Sequence, residues 1–310
     1  MYEVAKSSKM KSLKRRLREC WVLYVFLLPV FVYLFFFSYK PLYGIQIAFK
    51  NYSFGKGIEG SPWVGTKWFE YFFSSKQFPI VLKNTISISL YSVVAGFPIP
   101  IIFALILNEL PFKRFKKAVQ TIAYMPHFLS WVIIYGLAIQ IFAPTGGLLN
   151  MVRNNIGLES IPYLNDPVRW VVTYILLGVW QSFGWNSIVY LAAIAGISPE
   201  LYEAASVDGA SRFRKIWHIT LPGIRGTIVT LLVMALGNII GSGFDRPFAM
   251  QNNLVMKYAE VISTFVYKNG IKGLQFSLTT AVGLFQSVVG VFFLLLANWI
   301  ARKLGERGIW

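Results

Sequence analysis

Long apolar stretches separated by short charged segments are the main pattern of the chain. Asp, Glu, Lys and Arg are absent from residues 21–39, 84–108, 118–142, 170–197, 226–244 and 273–301. Each stretch is near or above the roughly 20 residues that a helix needs to cross about 30 Å of hydrocarbon. The pattern predicts an all-α, polytopic integral membrane protein with about six transmembrane helices; a soluble protein with buried helices is the alternative.

The composition favours a chain embedded in lipid. Hydrophobic residues make up 55% of the 310 residues and charged residues 14%, against roughly 25% in soluble domains. The formal net charge of +17 would also suit a nucleic-acid-binding protein. The basic residues flank the apolar stretches, however, where they meet membrane lipids and set topology, so no nucleic-acid partner is expected. The single cysteine, Cys20, can form no internal disulfide.

Lysine and arginine are unevenly divided between the two sides of the predicted membrane domain. The side that holds both termini, the second connection and residues 198–225 has 18 of them, and the other side has 12. Because positive charge is enriched in cytoplasmic loops, both termini and residues 198–222 are predicted to be cytoplasmic. The predicted organisation is a basic cytoplasmic tail, residues 1–20, followed by a single transmembrane domain, residues 21–310.

Two long connections are predicted on the outer side. Residues 39–83 contain "SPWVGTKWFEYFF", which predicts a turn and then a short amphipathic helix. Its aromatic residues suit a membrane interface, as aromatic belts commonly do: Trp63, Trp68, Phe69, Phe72 and Phe73. Residues 242–272 form the other long connection, with a short helix expected over residues 260–268.

Small residues four positions apart predict close helix approach in two of the apolar stretches. The fifth stretch has the GxxxG pair Gly237 and Gly241, and the fourth has Ala192 and Gly196. GxxxG is a weak motif. Packing within the subunit and packing against a second subunit both remain open.

Residues 198–222, "SPELYEAASVDGASRFRKIWHITLP", differ from the apolar stretches on either side. Ser198 and Pro199 predict a helix start, and Gly209 predicts its end because glycine adopts positive φ readily. A second helix is expected from about residue 211, with Leu221-Pro222 stopping it before the next span. The result is a helix–turn–helix projection, here called the knuckle, residues 198–222. Its small residues suit a docking surface; a surface loop without a partner is the alternative.

The knuckle carries a recognisable run of residues: Glu203-Ala204-Ala205, Asp208-Gly209-Ala210, Ile219 and Leu221-Pro222. This run resembles the EAA loop of the membrane subunits of bacterial ABC importers, in which the loop sits in a groove of the cytoplasmic ATPase. The resemblance implies ATPase-coupling roles for Glu203, Ala204, Ala205, Asp208, Gly209, Leu221 and Pro222. It also implies the type I ABC importer permease fold and a place in the bacterial cell (inner) membrane.

The resemblance extends over most of the chain. Six spans, a basic N-terminal tail and "WVGTKWFEYFF" are similar to carbohydrate permeases of the maltose-transporter type. "FVYKNGI" and "LLLANWIARKLGERGIW" resemble the polysaccharide or oligosaccharide subgroup more narrowly. The family implies a second homologous permease subunit, two cytoplasmic ABC ATPases, an extracytoplasmic solute-binding protein and a carbohydrate substrate. A permease for another solute class is the alternative.

This chain is not expected to catalyse a reaction itself. It has no G-x-x-x-x-G-K-[ST] run to hold a nucleotide, so ATP hydrolysis is assigned to partner subunits. A membrane-embedded enzyme would need ionisable residues within the spans. The spans offer His127 alone, with no carboxylate partner, and His218 has no H-E-x-x-H neighbour. No catalytic residue, metal site or cofactor is predicted.

Polar residues interrupt the apolar spans, above all in "WQSFGWNS" of the fourth. Amides bond sugar hydroxyls, and aromatic rings lie against sugar C–H faces. The candidate substrate-pathway residues are Trp180, Gln181, Trp185, Asn186, Asn238 and Gln286. The alternative is that they form hydrogen bonds between helices. Because no carboxylate or basic residue is expected in this zone, a neutral glycan fits better than an anionic one.

Overall fold

The chain folds into helices joined by short connections in a computed structural model that describes residues 20–241, 243–303 and 305. Almost all of the predicted tail, residues 1–20, and the last residues of the C-terminal motif lie outside this part. The α-helices are α1 (Trp21–Leu34), α2 (Lys67–Ser74), α3 (Gln77–Gly96), α4 (Pro98–Glu109), α5 (Lys113–Tyr124), α6 (Trp131–Phe142), α7 (Leu148–Asn155), α8 (Pro167–Ala195), α9 (Pro199–Val207), α10 (Arg212–Lys215), α11 (Arg225–Gly237), α12 (Asp245–Met250), α13 (Met256–Ala259), α14 (Ile262–Val266) and α15 (Phe276–Lys303).

Several helices continue as tighter or wider turns. These segments are Phe35–Tyr39, Tyr43–Phe49, Met125–Phe128, Ile216–Thr220 and Tyr267–Lys272, and two short α-helical pieces, Lys40–Leu42 and Leu221–Gly223, lie next to them. The described residues contain no strand, only two isolated bridges in the first outer connection. The all-α prediction is confirmed.

Three continuous helices are long and apolar enough to cross a membrane: Trp21–Phe49, Gln77–Glu109 and Phe276–Lys303. Three bent pairs also qualify by length and composition, which gives three to six spans within the described residues. The pairs bend by 102° at residues 129–130, by 71° at residues 196–198 and by 60° at residue 224. The predicted number of about six spans lies within this range.

The third apolar stretch, residues 118–142, is therefore not one straight helix. Pro126 follows α5 and lies in a 3-10 turn, and Ser130 then caps α6 by accepting a hydrogen bond from the Ile133 N–H. Proline cannot donate the backbone bond that would continue α5, so a new helix direction begins here.

The fifth stretch, residues 226–244, was also predicted as one helix, and this is wrong. α11 ends at Gly237, and Asn238 leaves the helical conformation with φ −94° and ψ 15°. Gly237 and Gly241 thus do not share a helix face, so the GxxxG interpretation is wrong. Gly237 still packs closely, because a Cβ there would meet the Leu294 side chain of α15.

The outer connections form much of the buried core. Phe72, Val81, Ile262 and Leu278 bring α2, α3, α14 and α15 into one cluster. A second cluster joins α8 to residues 250–261, where the Trp170 Nε1 donates to the Met250 carbonyl at 2.9 Å. These contacts hold the segment after α11 against α3 and the first turns of α8.

The aromatic segment of the first outer connection has two kinds of residue. The predicted amphipathic helix is present as α2, Lys67–Ser74. Phe72, however, is only 2% exposed, and the Trp68 Nε1 donates to the Lys50 carbonyl at 3.0 Å. Trp63 and Phe73 are exposed. The interface assignment is therefore wrong for Phe72, which anchors α2 to the core.

The first span stands apart from the rest of the molecule. Every residue from 21 to 43 is exposed, and none of the apolar window within Trp21–Phe49 is buried. Its outer end does pack: Ala48 is buried, and the segment Tyr43–Phe49 contacts α15.

Candidate functional site

The knuckle begins with a helix that ends at a glycine, as its sequence predicts. α9 starts at Pro199, although the Ser198 side chain makes no capping hydrogen bond, contrary to expectation. Gly209 has a φ of +73°, and the next N–H, that of Ala210, donates to the Ala205 carbonyl at 2.8 Å. This is the hydrogen bond of a Schellman ending, which requires a residue that tolerates positive φ.

The second half of the knuckle folds back and is tied to the first. Ser211 caps α10 by accepting from the Arg214 N–H. The Tyr202 hydroxyl lies 2.9 Å from the Thr220 Oγ1, and the Lys215 Nζ donates to the Ser206 Oγ at 2.6 Å. The two arms are thus fixed relative to each other by side-chain bonds.

The outer surface of the knuckle is open to solvent. Glu203, Ala204, Asp208 and Gly209 are all exposed, and Val207 at the tip is 89% exposed. Exposed apolar and small residues next to a carboxylate form a surface on which another protein can lie closely.

Three residues of the predicted coupling set lie away from that surface. Ala205 is half-buried. Leu221 is half-buried as well, and Pro222 is exposed where the chain re-enters the bundle. The helix ends at Gly223, one residue after Leu221-Pro222, and the chain bends by 60° before α11 begins, as predicted.

The candidate pathway residues divide into two groups. Trp185 stacks on His127 with ring centroids 4.6 Å apart, and the Gln181 Nε2 donates to the His127 carbonyl at 3.2 Å. These two residues join α8 to the break between α5 and α6. Trp180, like Trp185, is 41% exposed.

Asn186 and Asn238 instead line two neighbouring cavities. The first cavity, about 230 Å³, lies between α3 and α8 and includes Ser92, Ser182 and Asn186. The second, about 570 Å³, includes Ser92 and Asn238. Neither is lined by Gln286, whose Nε2 donates to the Ile240 carbonyl at 2.8 Å. For Gln286 this bond joins α15 to the turn after α11, a packing role close to the alternative that the sequence left open.

Both cavities are also lined by Arg246, which the sequence reasoning placed in an outer connection. Its guanidinium carbon lies 3.6 Å from the centroid of the Tyr174 ring and 5.1 Å from that of Trp131. Its Nη2 donates to the Tyr174 carbonyl. The expectation that no basic side chain lies in this zone is therefore wrong, and the preference for a neutral glycan loses its basis.

A glycine makes room for this arginine. A Cβ added at Gly178, in the middle of α8, would fall on the Arg246 guanidinium. Gly178 lies 11 residues after the start of α8, or about 16 Å along it at 1.5 Å per residue. In the sequence, Gly178 is visible as a glycine within an apolar helix. No local pattern links it to Arg246, which comes 68 positions later.

A family model and several relatives match this chain closely. The model described as binding-protein-dependent transport system inner membrane component matches residues 96–306. The chain belongs to this family. The chain is a multi-pass membrane protein and the permease subunit of a sugar ABC importer, which is a transport subunit rather than an enzyme.

The relatives are similar over nearly the whole length. The polygalacturonan/rhamnogalacturonan transport system permease protein YteP of Bacillus subtilis is 42% identical over 99% of this chain and 96% of the relative. The protein LplB of the same organism is 39% identical over 94% and 92%. These matches confirm the predicted carbohydrate permease family.

Two solved structures share the fold. One is a bacterial ABC transporter that imports the acidic polysaccharide alginate; it has a TM-score of 0.86 and 41% identity, covering 94% of this chain and 99% of that one. The other is a bacterial alginate transporter in complex with an alginate pentasaccharide-bound periplasmic protein, with the same TM-score and 40% identity over 95% and 99%.

Proposed function

We propose that this permease forms half of a translocation pathway for an acidic carbohydrate, driven by separate ATPases that bind the knuckle. The observation that carries the proposal is the knuckle itself, a braced projection with an exposed carboxylate, valine and glycine at its outer surface. Two cytoplasmic ABC ATPases are the proposed partners at this surface, with Glu203, Ala204, Asp208 and Gly209 making the contact.

The proposed topology puts the knuckle and both termini in the cytoplasm of a bacterial cell, with the protein in its inner membrane. The exposed arginines Arg212 and Arg214 support this orientation, because basic residues favour the cytoplasmic side. In a Cys20→Ser background, cysteines at positions 116, 212 and 303 should react only from inside. Those at 56, 155 and 257 should react from outside. External labelling at 212 would contradict both the topology and the ATPase contact.

A second homologous permease is the proposed partner of the first span. A helix whose residues are exposed from 21 to 43 makes few contacts within its own subunit. Lipid covers part of such a helix, and a neighbouring subunit is proposed to cover another part, which would complete the pathway. Ala192 on α8 and Gly196 directly after it are exposed too and offer a small-residue face for the same neighbour.

The proposed solute is an acidic oligosaccharide that an external solute-binding protein delivers. The support comes from the solved relative that imports the acidic polysaccharide alginate and from the complex of a relative with its periplasmic protein. Asn186 and Asn238, which line the cavities, are the proposed pathway residues of the predicted set. Trp180, Gln181 and Trp185 lie on the neighbouring side of α8.

The test compares two pairs of variants with identical chemistry. Gly157 ends α7 just as Gly209 ends α9: its φ is +79°, and the following Leu158 N–H donates to the Arg153 carbonyl at 2.9 Å. Valine at either position carries the same backbone strain, about 1–2 kcal/mol. We expect Gly209→Val to weaken ATPase co-purification and sugar uptake, and Gly157→Val to leave both near wild type.

The second pair removes a carboxylate. A charge-assisted hydrogen bond contributes about 1.5–3 kcal/mol, so Glu203→Ala should weaken ATPase binding about ten- to one-hundred-fold. Glu159→Ala removes an exposed carboxylate from the outer side and serves as the control. Wild-type ATPase attachment and uptake in both Glu203→Ala and Gly209→Val, at equal permease levels, would show that the knuckle is not the ATPase contact.

A further inference from the structure

We infer that Arg246 binds the carboxylate groups of the passing sugar and so selects acidic over neutral oligosaccharides, an inference that rests on the proposed carbohydrate function. The relevant site, here called the arginine cavity, is the cavity lined by Ser92, Gly178, Ser182, Asn186 and Arg246. Its hydroxyl and amide groups suit sugar hydroxyls, and its guanidinium suits a carboxylate.

The first step concerns the charge of Arg246. Arginine stays protonated in proteins, so the guanidinium brings a full positive charge between the helices. Within the described residues the salt bridge found is that of Lys268 and Glu260, and no carboxylate lies within bonding distance of Arg246. An ionisable group between membrane-spanning helices is expensive and is usually retained for function.

The second step concerns the hydrogen-bonding capacity that is left. A guanidinium has five N–H donors, and the Tyr174 carbonyl is the acceptor that Arg246 reaches among the described residues. Its Nε is buried and has no hydrogen-bond partner. The rings of Tyr174 and Trp131 hold the cation in place without neutralising it. Unused donors and an uncompensated charge together favour an anionic ligand.

The third step concerns the match to a ligand. The fork of N–H groups in arginine fits the two oxygens of a carboxylate, which makes bidentate pairs short and strong. Asn186 and Ser182 lie in the same cavity, one turn apart on α8, and can bond the hydroxyls of the same sugar unit. The arginine cavity thus has groups that can bind both the carboxylate and the hydroxyls of a uronate residue.

Uptake into proteoliposomes provides the test. The complete importer, including its binding protein, is supplied with tetragalacturonate or with its methyl ester, which has the same sugar backbone without the charges. We expect Arg246→Gln to lower tetragalacturonate uptake about ten- to one-hundred-fold, the factor for one charge-assisted hydrogen bond. Uptake of the methyl ester should change less than about two-fold, well under the 1.4 kcal/mol that equals ten-fold.

Two further variants keep the result interpretable. Asn186→Asp keeps Arg246 and adds to the arginine cavity a carboxylate that should pair with its guanidinium, so it should lower uptake of the acid alone. Arg169→Gln removes an exposed arginine from the start of α8 and should change neither probe. If Arg246→Gln does not assemble, the comparison of Asn186→Asp with wild type decides the question.

The outcomes separate the inference from the proposed function. Equal loss of both probes in Arg246→Gln at normal assembly would make the arginine a purely structural cation, and unchanged uptake of the acid would remove its role. If the wild-type importer takes up the methyl ester but not the acid, the inference is overturned and carbohydrate transport still stands. Uptake of neither probe by the wild-type complex would overturn the proposed function, and the inference with it.

Discussion

The knuckle and the arginine cavity are built in opposite ways. The knuckle takes all its residues from 25 consecutive positions, 198–222, and is held by bonds within that segment. The arginine cavity takes Ser92 from α3, Gly178 and Asn186 from α8, and Arg246 from α12. The first is an exposed local structure, and the second exists only after distant segments have packed.

This difference explains why one site was predictable and the other was not. Proline at the first helical position, a helix end at Gly209 and a serine cap at Ser211 are signals within a few residues. Arg246 reaches α8 because α11 stops at Gly237 and α12 turns back against α6. No periodicity along the chain predicts that return. Arg246, a charged residue next to Pro247, was therefore assigned to an outer connection.

The largest expected effect separates the two regions by acting on the arginine cavity alone. Gly178→Ala puts a methyl group where the guanidinium lies, so the arginine must leave its contacts with Tyr174 and Trp131. The cation–π contact and the carbonyl bond contribute about 1–2 kcal/mol together. We expect uptake of acidic oligosaccharide to fall by about ten-fold or more while ATPase attachment at the knuckle stays normal.

The control is Gly136→Ala. Gly136 lies within α6 with no atom within 4 Å of an added Cβ, so alanine there should keep or raise thermal stability by about 0.5–1 kcal/mol. Comparing uptake and melting of the detergent-solubilised complex for both variants isolates the steric effect. Normal uptake in Gly178→Ala would mean that the position of Arg246 has no influence on transport.

A second, smaller effect should divide the polar residues of α8. Gln181→Ala removes the donor to the His127 carbonyl and leaves that oxygen unbonded, which should cost about 1–3 kcal/mol of stability. Asn186→Ala removes a group that faces the arginine cavity and should lower uptake without lowering the melting temperature. If Gln181→Ala and Asn186→Ala had the same melting curve and the same loss of uptake, the two residues would not have these separate roles.

The fold was predictable to a similar, limited extent. The apolar stretches located the helices because a lipid environment excludes charge over about 20 residues. The breaks at Pro126 and Gly237 were missed, since a broken helix has the same composition as a straight one. Phe72 was assigned to the membrane interface because the sequence of a short helix does not distinguish a buried aromatic face from an exposed one. Packing against α14 and α15 buries this side chain.

The smallest expected effect tests whether the knuckle must be rigid. The hydroxyl of Tyr202 lies 2.9 Å from that of Thr220, which is 1% exposed, so this bond joins the first arm of the knuckle to the base of the second. Tyr202→Phe keeps the ring and removes the bond, which contributes about 0.5–1.5 kcal/mol. The exposed surface around Glu203 is untouched, so the ATPases should still attach.

What should fall is the amount of sugar transported per ATP hydrolysed, because a loosened arm moves without pulling the helices that follow it. The expected decrease is about two- to ten-fold, in proportion to the lost bond. Thr220→Val removes the same bond from the other end, so the double variant should be no worse than either single variant. Tyr258→Phe, at an exposed tyrosine of α13, is the control. Additive losses in the double variant would mean that the two residues act separately and that this hydrogen bond does not transmit the movement.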